Sequence, residues 1–250
     1  MVEPRTRWPG RGVVGVGVMV LVQASWCGRS SVGGLPFGIR NATVADAAFL
    51  IQKQHTSEGK DAMGVTRIAP VEPPYEPEVE EQLRSMMPEG VPPIALFRTF
   101  VRNLSLSKAM HPWGRHELSR ALSVGLRARE IVIDRTCARC GCEYEWGVHV
   151  AFFAKRAGLD GEQVRSLTHG GPDDPCWSSG GDRLLIGLVD ELHETSDVSD
   201  ALWEQLRTEF DEVQLLDLLL LCGWYHAISF TARAARVALE DGAPTFDSVR

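Results

Sequence analysis

The chain has 250 residues and a mass of 27.6 kDa, with 44% hydrophobic and 24% charged side chains. This length is enough for one large domain or two small ones, and the composition excludes a disordered or collagen-like protein. The 26 basic side chains are outnumbered by 33 acidic ones, for a net charge of -7. Because binding to a phosphate backbone relies on an excess of Lys and Arg, we expect no nucleic-acid partner.

The first quarter of the chain differs in composition from the rest. Residues 1–62 hold 7 basic and 4 acidic side chains, whereas the remaining residues hold 19 and 29. The apolar run Val13–Val22 follows three arginines, but it is too short and too rich in glycine to span a bilayer, so we predict no membrane partner. We interpret residues 1–62 as a disordered leader and residues 63–250 as the folded domain. The leader is either a signal peptide over residues 1–24, which would export the protein, or a non-functional extension of a cytoplasmic protein.

From Met63 onward the apolar spacing and the helix-capping residues predict an all-α domain. The prolines of residues 70–77 predict an extended segment before the first helix. The predicted helices are, in order, Glu78–Met87, Pro92–Phe100, Ser105–Trp113, His116–Val124, Arg127–Thr136, Cys142–Arg156, one that Asp160 and Gln163 begin, Asp182–His193, Ser199–Phe210 and Val213–Leu239.

The last predicted helix is apolar nearly all round, which is typical of a helix that is buried on every side. Asp211 and Gln214 form a capping box at its start. One subunit of this size would struggle to cover such a helix, so we expect it at the interface of a homo-oligomer.

Three of the six cysteines lie within the six residues CARCGC, at Cys137, Cys140 and Cys142. Such clustering is typical of metal or redox chemistry rather than of a disulfide framework spread through a secreted fold. It therefore favours a reducing compartment.

The helix that begins near Cys142 carries two further reactive side chains besides the thiol. On a helical wheel Glu145 lies about 60° and His149 about 20° from Cys142, so a thiol, a carboxylate and an imidazole share one face. A neighbouring imidazole can raise the thiolate fraction of a cysteine. Glu130, on the preceding segment, becomes the second carboxylate if the two helices pack as a hairpin.

These residues carry a resemblance to a known family. Glu130, eleven residues, Cys142, two residues, Glu145, three residues and His149 resemble the Glu-Cys-Cys-His motif of the AhpD-like branch of the carboxymuconolactone decarboxylase family. The surrounding AREIVIDRTCARCGCEYEWGVHVAFFAKRAGL resembles the core hairpin of that family, and LLDLLLLCGWYHAISF resembles its later buried helix. The resemblance extends from about Met63 to Val237.

The resemblance implies an all-α AhpD-like fold that assembles as a trimer or a multiple of trimers and needs no cofactor. Members with two motif cysteines reduce peroxides through a thiol pair, whereas the founding decarboxylases act on a carboxylated lactone. Glu130 and His149 match the proton-relay positions, and Cys142 matches the first cysteine. The second cysteine position is Glu145 here, so the usual thiol pair is incomplete.

Our leading hypothesis is a thiol-dependent peroxidase that uses a peroxide as substrate and an unidentified thiol as reductant. Oxidation of Cys142 to a sulfenic acid could be resolved by Cys137 or Cys140. Alternatively, Cys137 and Cys140 could themselves cycle between dithiol and disulfide.

Two alternatives from other classes are kept. Glu130, Glu145 and His149 form an acid-base cluster that could serve a cofactor-free lyase acting on a carboxylated lactone. The other alternative is a structural zinc site made of Cys137, Cys140, Cys142 and His149. Because these cysteines are too close in sequence for easy tetrahedral wrapping, we assign no metal ligands.

Aromatic and histidine side chains complete the candidate site. We expect Trp146, Tyr225 and His226 to line a substrate pocket. Cys222 and His226 are four residues apart, so they are either a second reactive pair or part of the core. His193 belongs to no recognisable pattern, and we interpret it as structural.

Overall fold

The computed structural model describes residues 65–250, and the prediction of a leader over residues 1–62 lies outside the described residues. Within the described part the fold is all-helical, without a strand, which confirms the predicted fold class. The α-helices are α1 (Pro77–Met86), α2 (Ala95–Phe100), α3 (Leu104–Glu117), α4 (Leu126–Arg139), α5 (Glu143–His149), α6 (Gly161–His169), α7 (Gly180–Thr195), α8 (Asp200–Glu209) and α9 (Glu212–Ala235), with 3-10 turns at Val101–Asn103 and Phe246–Val249 and a π-helical turn at Val150–Ala154.

The predicted capping residues begin three of these helices. The side chains of Asp160, Ser199 and Asp211 each accept a hydrogen bond from a backbone N–H in the first turn of α6, α8 and α9. At Asp160 and Asp211 a glutamine three residues later closes a full capping box. Local sequence therefore determines these three helix starts.

The prediction of a helix over His116–Val124 is wrong. α3 runs without interruption through Pro112 and ends at Glu117. The backbone N–H of Ser123 donates to the carboxylate of Asp217 on α9, at 2.8 Å. A long-range partner thus satisfies a backbone donor that a helix would otherwise use.

Helix α4 is the centre of the core and packs against α5, α6, α7 and α9. Its residues Ile131, Val132 and Ile133 are fully buried, and so are the charged Glu130 and Asp134. Because α4 is surrounded, its acidic and basic side chains must either find partners inside the protein or lose their charge. The core around α4 therefore contains polar side chains.

Helix α9 is buried on one face only. Leu218, Leu221 and Tyr225 are at most 1% exposed, but Leu216 and Phe230 on the other face are 58% and 62% exposed. A single chain therefore does not bury this helix on every side, and the expected homo-oligomer interface stays a prediction.

By length and composition α9 is the one described helix that could cross a membrane, and half of its apolar window is buried in this fold.

Helix α9 also ends earlier than the predicted Leu239. Arg236 adopts a left-handed conformation with φ of 52°, and the backbone N–H of Val237 donates to the carbonyl of Ala232 at 3.0 Å. This is the usual geometry of a helix C-terminus. Glycine normally occupies that position, so the arginine hid the helix end from sequence reasoning.

Candidate active site

A tight turn joins α4 to α5 and folds them into the predicted hairpin. Gly141 has φ of +64°, the backbone N–H of Cys142 donates to the carbonyl of Cys137, and that of Gly141 donates to Ala138. These two bonds form a Schellman motif, which requires a left-handed residue that glycine adopts without strain. The chain reverses here, so α5 runs back along α4.

The hairpin brings His149 of α5 against Glu130 of α4. The imidazole Nδ1 lies 2.8 Å from Glu130 Oε2, and since a carboxylate has no proton to give, Nδ1 donates. The other carboxylate oxygen accepts from Arg129 Nε at 2.6 Å. Glu130 is fully buried and His149 is 3% exposed. The predicted pairing of these two residues is therefore present in the structure.

The second ring nitrogen of His149 faces two further groups. Its Nε2 lies 3.0 Å from the Tyr225 hydroxyl and 3.6 Å from Glu145 Oε1. Burial alone would lower the pKa of His149, but the carboxylates of Glu130 and Glu145 outweigh it and raise the pKa to about 10. His149 is therefore an imidazolium at neutral pH, held between two carboxylates.

A cavity of about 190 Å³ opens onto this cluster. Its walls are mostly apolar side chains from α1, α2, α3 and α9, and the polar groups of the centre that reach it are Glu145 and Tyr225. The lining residues from the walls include Met86, Leu96, Phe97, Phe100, Met110, Trp224 and Ile228. The cavity therefore places mostly apolar side chains beside Glu145 and Tyr225.

Of the three residues that we expected to line a pocket, only Tyr225 does so. Trp146 is fully buried and packs against Phe246 of the C-terminal segment, with ring centroids 5.1 Å apart. His226 turns toward His193 instead, 3.0 Å away between ring nitrogens. Trp146 and His226 therefore do not line this cavity, because neighbours outside the hairpin decide where these rings point.

Two buried carboxylates of the α4–α5 hairpin have unsatisfied oxygens. Glu145 Oε2 and both oxygens of Asp134 have no hydrogen-bond partner among residues 65–250. Burial, and then the charge of Glu130, raise the pKa of Asp134 well above its usual range. The neutral acid form of Asp134 is therefore favoured beside the Glu130–His149 pair. The orphan oxygen of Glu145 is buried and belongs to a residue that lines the cavity.

The three clustered thiols converge on one hydroxyl. Ser229 Oγ lies 3.9 Å from Cys137 Sγ, and hydrogen bonding by this hydroxyl partly opposes the rise in pKa that burial causes at all three thiols. Burial has the larger and opposite effect, and it raises the pKa of Cys142 to about 11. All five cysteines of residues 65–250 are free, and none of them lines the cavity beside Glu145.

The structure does not assemble the four-residue zinc set that we considered. His149 is engaged by Glu130 and Tyr225. Among the described residues, the one group of three or more metal-binding side chains is Cys140, His193 and His226, whose ligand atoms all lie within 4.8 Å of one another. The expectation that His193 belongs to no cluster of reactive side chains is therefore wrong. Helix α7 brings it to Cys140 from a distant part of the sequence.

The arginines near the motif are all engaged in ion pairs. Arg129 pairs with Glu130, Arg127 with Asp182, Arg135 with Asp190, and Arg139 with Glu194. None of these four lines the cavity, whereas Arg115 of α3 does. The arginine at this cavity is thus supplied by a helix that sequence reasoning did not connect to the site.

Three residues of the centre were missed by sequence reasoning. Asp134 follows Glu130 by four residues and Ser229 follows Tyr225 by four, so each lies on the same helical face as a candidate that was named. That spacing was the available signal. Arg115 offered none, because its helix is brought to the cavity only by tertiary packing.

Comparison with known proteins agrees with this fold. No protein-family model and no curated protein matches the sequence. Among solved structures, an uncharacterized peroxidase-related protein from Silicibacter sp. TM1040 superposes with a TM-score of 0.62 at 15% identity, covering 79% of this chain and all of the other (100%). The apo form of the debrominase Bmp8 superposes with a TM-score of 0.59 at 14% identity, covering 74% and 99%. At these identities the likeness is one of fold, and the protein therefore has the all-α AhpD-like fold that the sequence predicted.

Proposed function

We propose that this protein is an enzyme that transfers a proton to or from carbon in a small carboxylated carbonyl compound, and that decarboxylation of a carboxylated lactone is its reaction type. The observation that carries the proposal is the position of Glu145. Its orphan carboxylate oxygen belongs to a residue that lines an apolar cavity, and the imidazolium of His149 lies behind it. A carboxylate so placed is suited to general acid-base catalysis.

The cavity supports a carboxylated substrate. Arg115 lines it and lacks an acidic partner in the ion pairs found among residues 65–250. A guanidinium binds a carboxylate by paired hydrogen bonds. The remaining wall is mostly apolar, which suits a small ring.

The chemistry follows from the same groups. When the bond between the carboxylate carbon and the ring breaks, carbon dioxide leaves and the electron pair moves into the conjugated carbonyl to give an enolate. Burial raises the pKa of Tyr225 well above its usual range, so its hydroxyl stays protonated and can donate to the enolate oxygen. The Glu145 carboxylate takes the Nε2 proton of the His149 imidazolium, 3.6 Å away, and passes it to the ring carbon, and His149 regains a proton from solvent.

Glu130 acts on this reaction through His149. Its carboxylate keeps the imidazole protonated and fixes its orientation, so that Nε2–H points toward Tyr225 and Glu145. We assign Glu130 and His149 as positioning residues, while Glu145 and Tyr225 are the catalytic residues.

Buried free thiols also support the cytoplasmic location, which stays a proposal.

Turnover of a carboxylated lactone in deuterium oxide tests the proposed function. We expect carbon dioxide to be released and one deuterium to be incorporated at the carbon that lost the carboxylate. Mass spectrometry and NMR of the product measure the incorporation. The uncatalysed rate in buffer is the control. A protein that releases no carbon dioxide and exchanges no carbon-bound hydrogen in a series of such lactones would overturn the proposal.

A thiol-dependent peroxidase is the second candidate. It is supported by the convergence of Cys137, Cys140 and Cys142 on Ser229 and by the peroxidase-related protein that shares the fold. In that reaction the Cys142 thiolate attacks the peroxide oxygen, and an alcohol or water leaves. Cys137 or Cys140 then displaces water from the sulfenic acid to form a disulfide, and an external thiol restores the pair.

The pKa of Cys142 provides a test of this second candidate. With a pKa of about 11, only about one thiol in 10⁴ is ionised at pH 7. We expect one equivalent of hydrogen peroxide to remove two hydrogen atoms from the chain slowly at pH 7, faster as the pH approaches 11, and not at all in Cys142→Ser. Mass spectrometry of the thiols measures this change. Thiols that stay reduced over the whole pH range in the folded protein would exclude the peroxidase.

A further inference from the structure

Three side chains from three different helices form a second polar cluster, separate from the cavity. Cys140 ends α4, His193 lies in the last turn of α7, and His226 lies in the middle of α9. His193 Nδ1 lies 3.0 Å from His226 Nε2 and 3.9 Å from Cys140 Sγ. None of the three residues lines the cavity beside Glu145, so the proposed function makes no use of them.

We propose that Cys140, His193 and His226 bind one zinc ion or a similar thiophilic divalent metal. Zinc forms bonds of about 2.0–2.1 Å to nitrogen and about 2.3 Å to sulfur, and a tetrahedral arrangement separates two nitrogens by about 3.3 Å and nitrogen from sulfur by about 3.6 Å. The distances of 3.0 and 3.9 Å reach these values with shifts of a few tenths of an ångström.

A hydrogen bond already orients one ligand. The Nδ1 of His226 lies 2.9 Å from the backbone carbonyl of Cys222. Because a carbonyl only accepts, Nδ1 carries the proton and Nε2 presents a lone pair to His193 and Cys140. Histidines that bind metals usually donate their other ring N–H to a carbonyl or carboxylate in this way. The site is therefore preorganised at His226.

The charges around the cluster permit a dication. Arg139 and Arg233 are the neighbouring cations. Burial and the charge of Arg139 lower the pKa of His193, and the charge of Arg233 acts to lower that of Cys140. Arg139 is neutralised by Asp190 and Glu194. Burial raises the pKa of Cys140, and Arg233, which donates to the carbonyl of Cys140 at 2.6 Å, acts in the opposite direction and favours the thiolate that a metal needs.

The site is also accessible and selective in its ligand types. Cys140 is 6% exposed, while His193 and His226 are only half-buried, so an ion can enter from solvent. One thiolate and two imidazoles suit zinc, copper or cobalt rather than magnesium or calcium. Three protein ligands leave a fourth position for water.

Titration of the reduced full-length chain with zinc chloride tests this site. After removal of bound metal with a chelator, we expect one zinc per chain by calorimetry and a higher melting temperature when zinc is present. Cys140→Ser and His226→Gln should each weaken binding by at least about tenfold. The matched controls Cys176→Ser and His169→Gln, which change the same residue types outside the cluster, should bind zinc like the unmodified chain.

Cobalt gives a readout that does not depend on any variant folding. We expect the unmodified chain to bind one Co²⁺ with a thiolate-to-cobalt charge-transfer band in the near ultraviolet, because Cys140 is the sulfur ligand. Absence of zinc binding, cobalt bound without that band, or affinity unchanged in both Cys140→Ser and His226→Gln would each overturn the proposal. All of these readouts are independent of lactone turnover, so they test the metal site and leave the proposed function unaffected.

Discussion

Glu145→Gln should lower the rate of lactone decarboxylation by about 10² to 10⁴-fold, which is the usual contribution of a general acid or base. The amide has nearly the shape of the carboxylate but cannot carry the transferred proton. Because Glu145 Oε1 also faces the buried imidazolium of His149, we expect the substitution to destabilise the fold as well, by less than the about 3–5 kcal/mol that is typical of a broken buried ion pair, since Glu130 still pairs with His149. Initial rates of carbon dioxide release, together with the melting temperature, measure both effects.

Glu143→Gln is the matched control for this variant. Glu143 lies on the same helix but accepts a hydrogen bond from the backbone N–H of Phe246, at 2.7 Å, and does not line the cavity. We expect it to retain the unmodified rate within about twofold. Equal rates in Glu145→Gln and the unmodified enzyme would show that Glu145 does not move the proton.

Glu130→Gln should destabilise the fold by about 3–5 kcal/mol, the range that is typical when one partner of a buried ion pair is removed. The substitution leaves Arg129 and the imidazolium of His149 without their shared carboxylate. Burial, which lowers the pKa of His149, then acts with much less opposition, so the ring should become neutral near pH 7. Chemical denaturation at that pH measures the free energy of unfolding.

The effect of Glu130→Gln should depend on pH with a definite sign. The folded pKa of His149 is about 10 and the unfolded value is about 6.5. A raised folded pKa adds stability that is complete below about pH 6.5 and disappears as the pH rises through about 10. The difference in stability between the unmodified chain and the variant should therefore shrink between pH 7 and pH 10.

An exposed ion pair supplies the control for Glu130→Gln. Glu80 accepts from Arg84 at 2.9 Å on the surface of α1, and both side chains are mostly exposed. Glu80→Gln should change the free energy of unfolding by no more than about 1 kcal/mol at any pH between 6 and 10. If Glu130→Gln behaves like Glu80→Gln, the buried pair does not hold a charged imidazole.

Features that depend on neighbouring residues could be predicted from the sequence. The capping boxes at Asp160 and Asp211 and the turn at Gly141 are encoded locally, and the motif spacing placed Glu130 opposite His149 as soon as the hairpin closed. The fold class follows from the same local signals, because helix starts and periodic apolar residues repeat from Met63 onward.

Features that depend on distant helices could not be predicted. The cavity is built mainly by α1, α2 and α3, whose apolar spacing indicated helices but not what they would enclose. His193 meets Cys140 and His226 only because α7 and α9 both pack on α4. The substitution of glutamate for the second motif cysteine was visible at Glu145, but its relation to the cavity was not.

Measuring the protonation state of the His149 ring tests most directly whether Glu130 holds a charged imidazole in the core. The nitrogen-15 chemical shifts of the histidine rings, with the His149 signals assigned by their loss in His149→Gln, report whether one or both ring nitrogens carry a proton. We predict two protonated nitrogens at pH 7.5, titration near pH 10, and a neutral ring in Glu130→Gln. A neutral His149 ring in the unmodified protein at pH 7.5 would contradict this prediction.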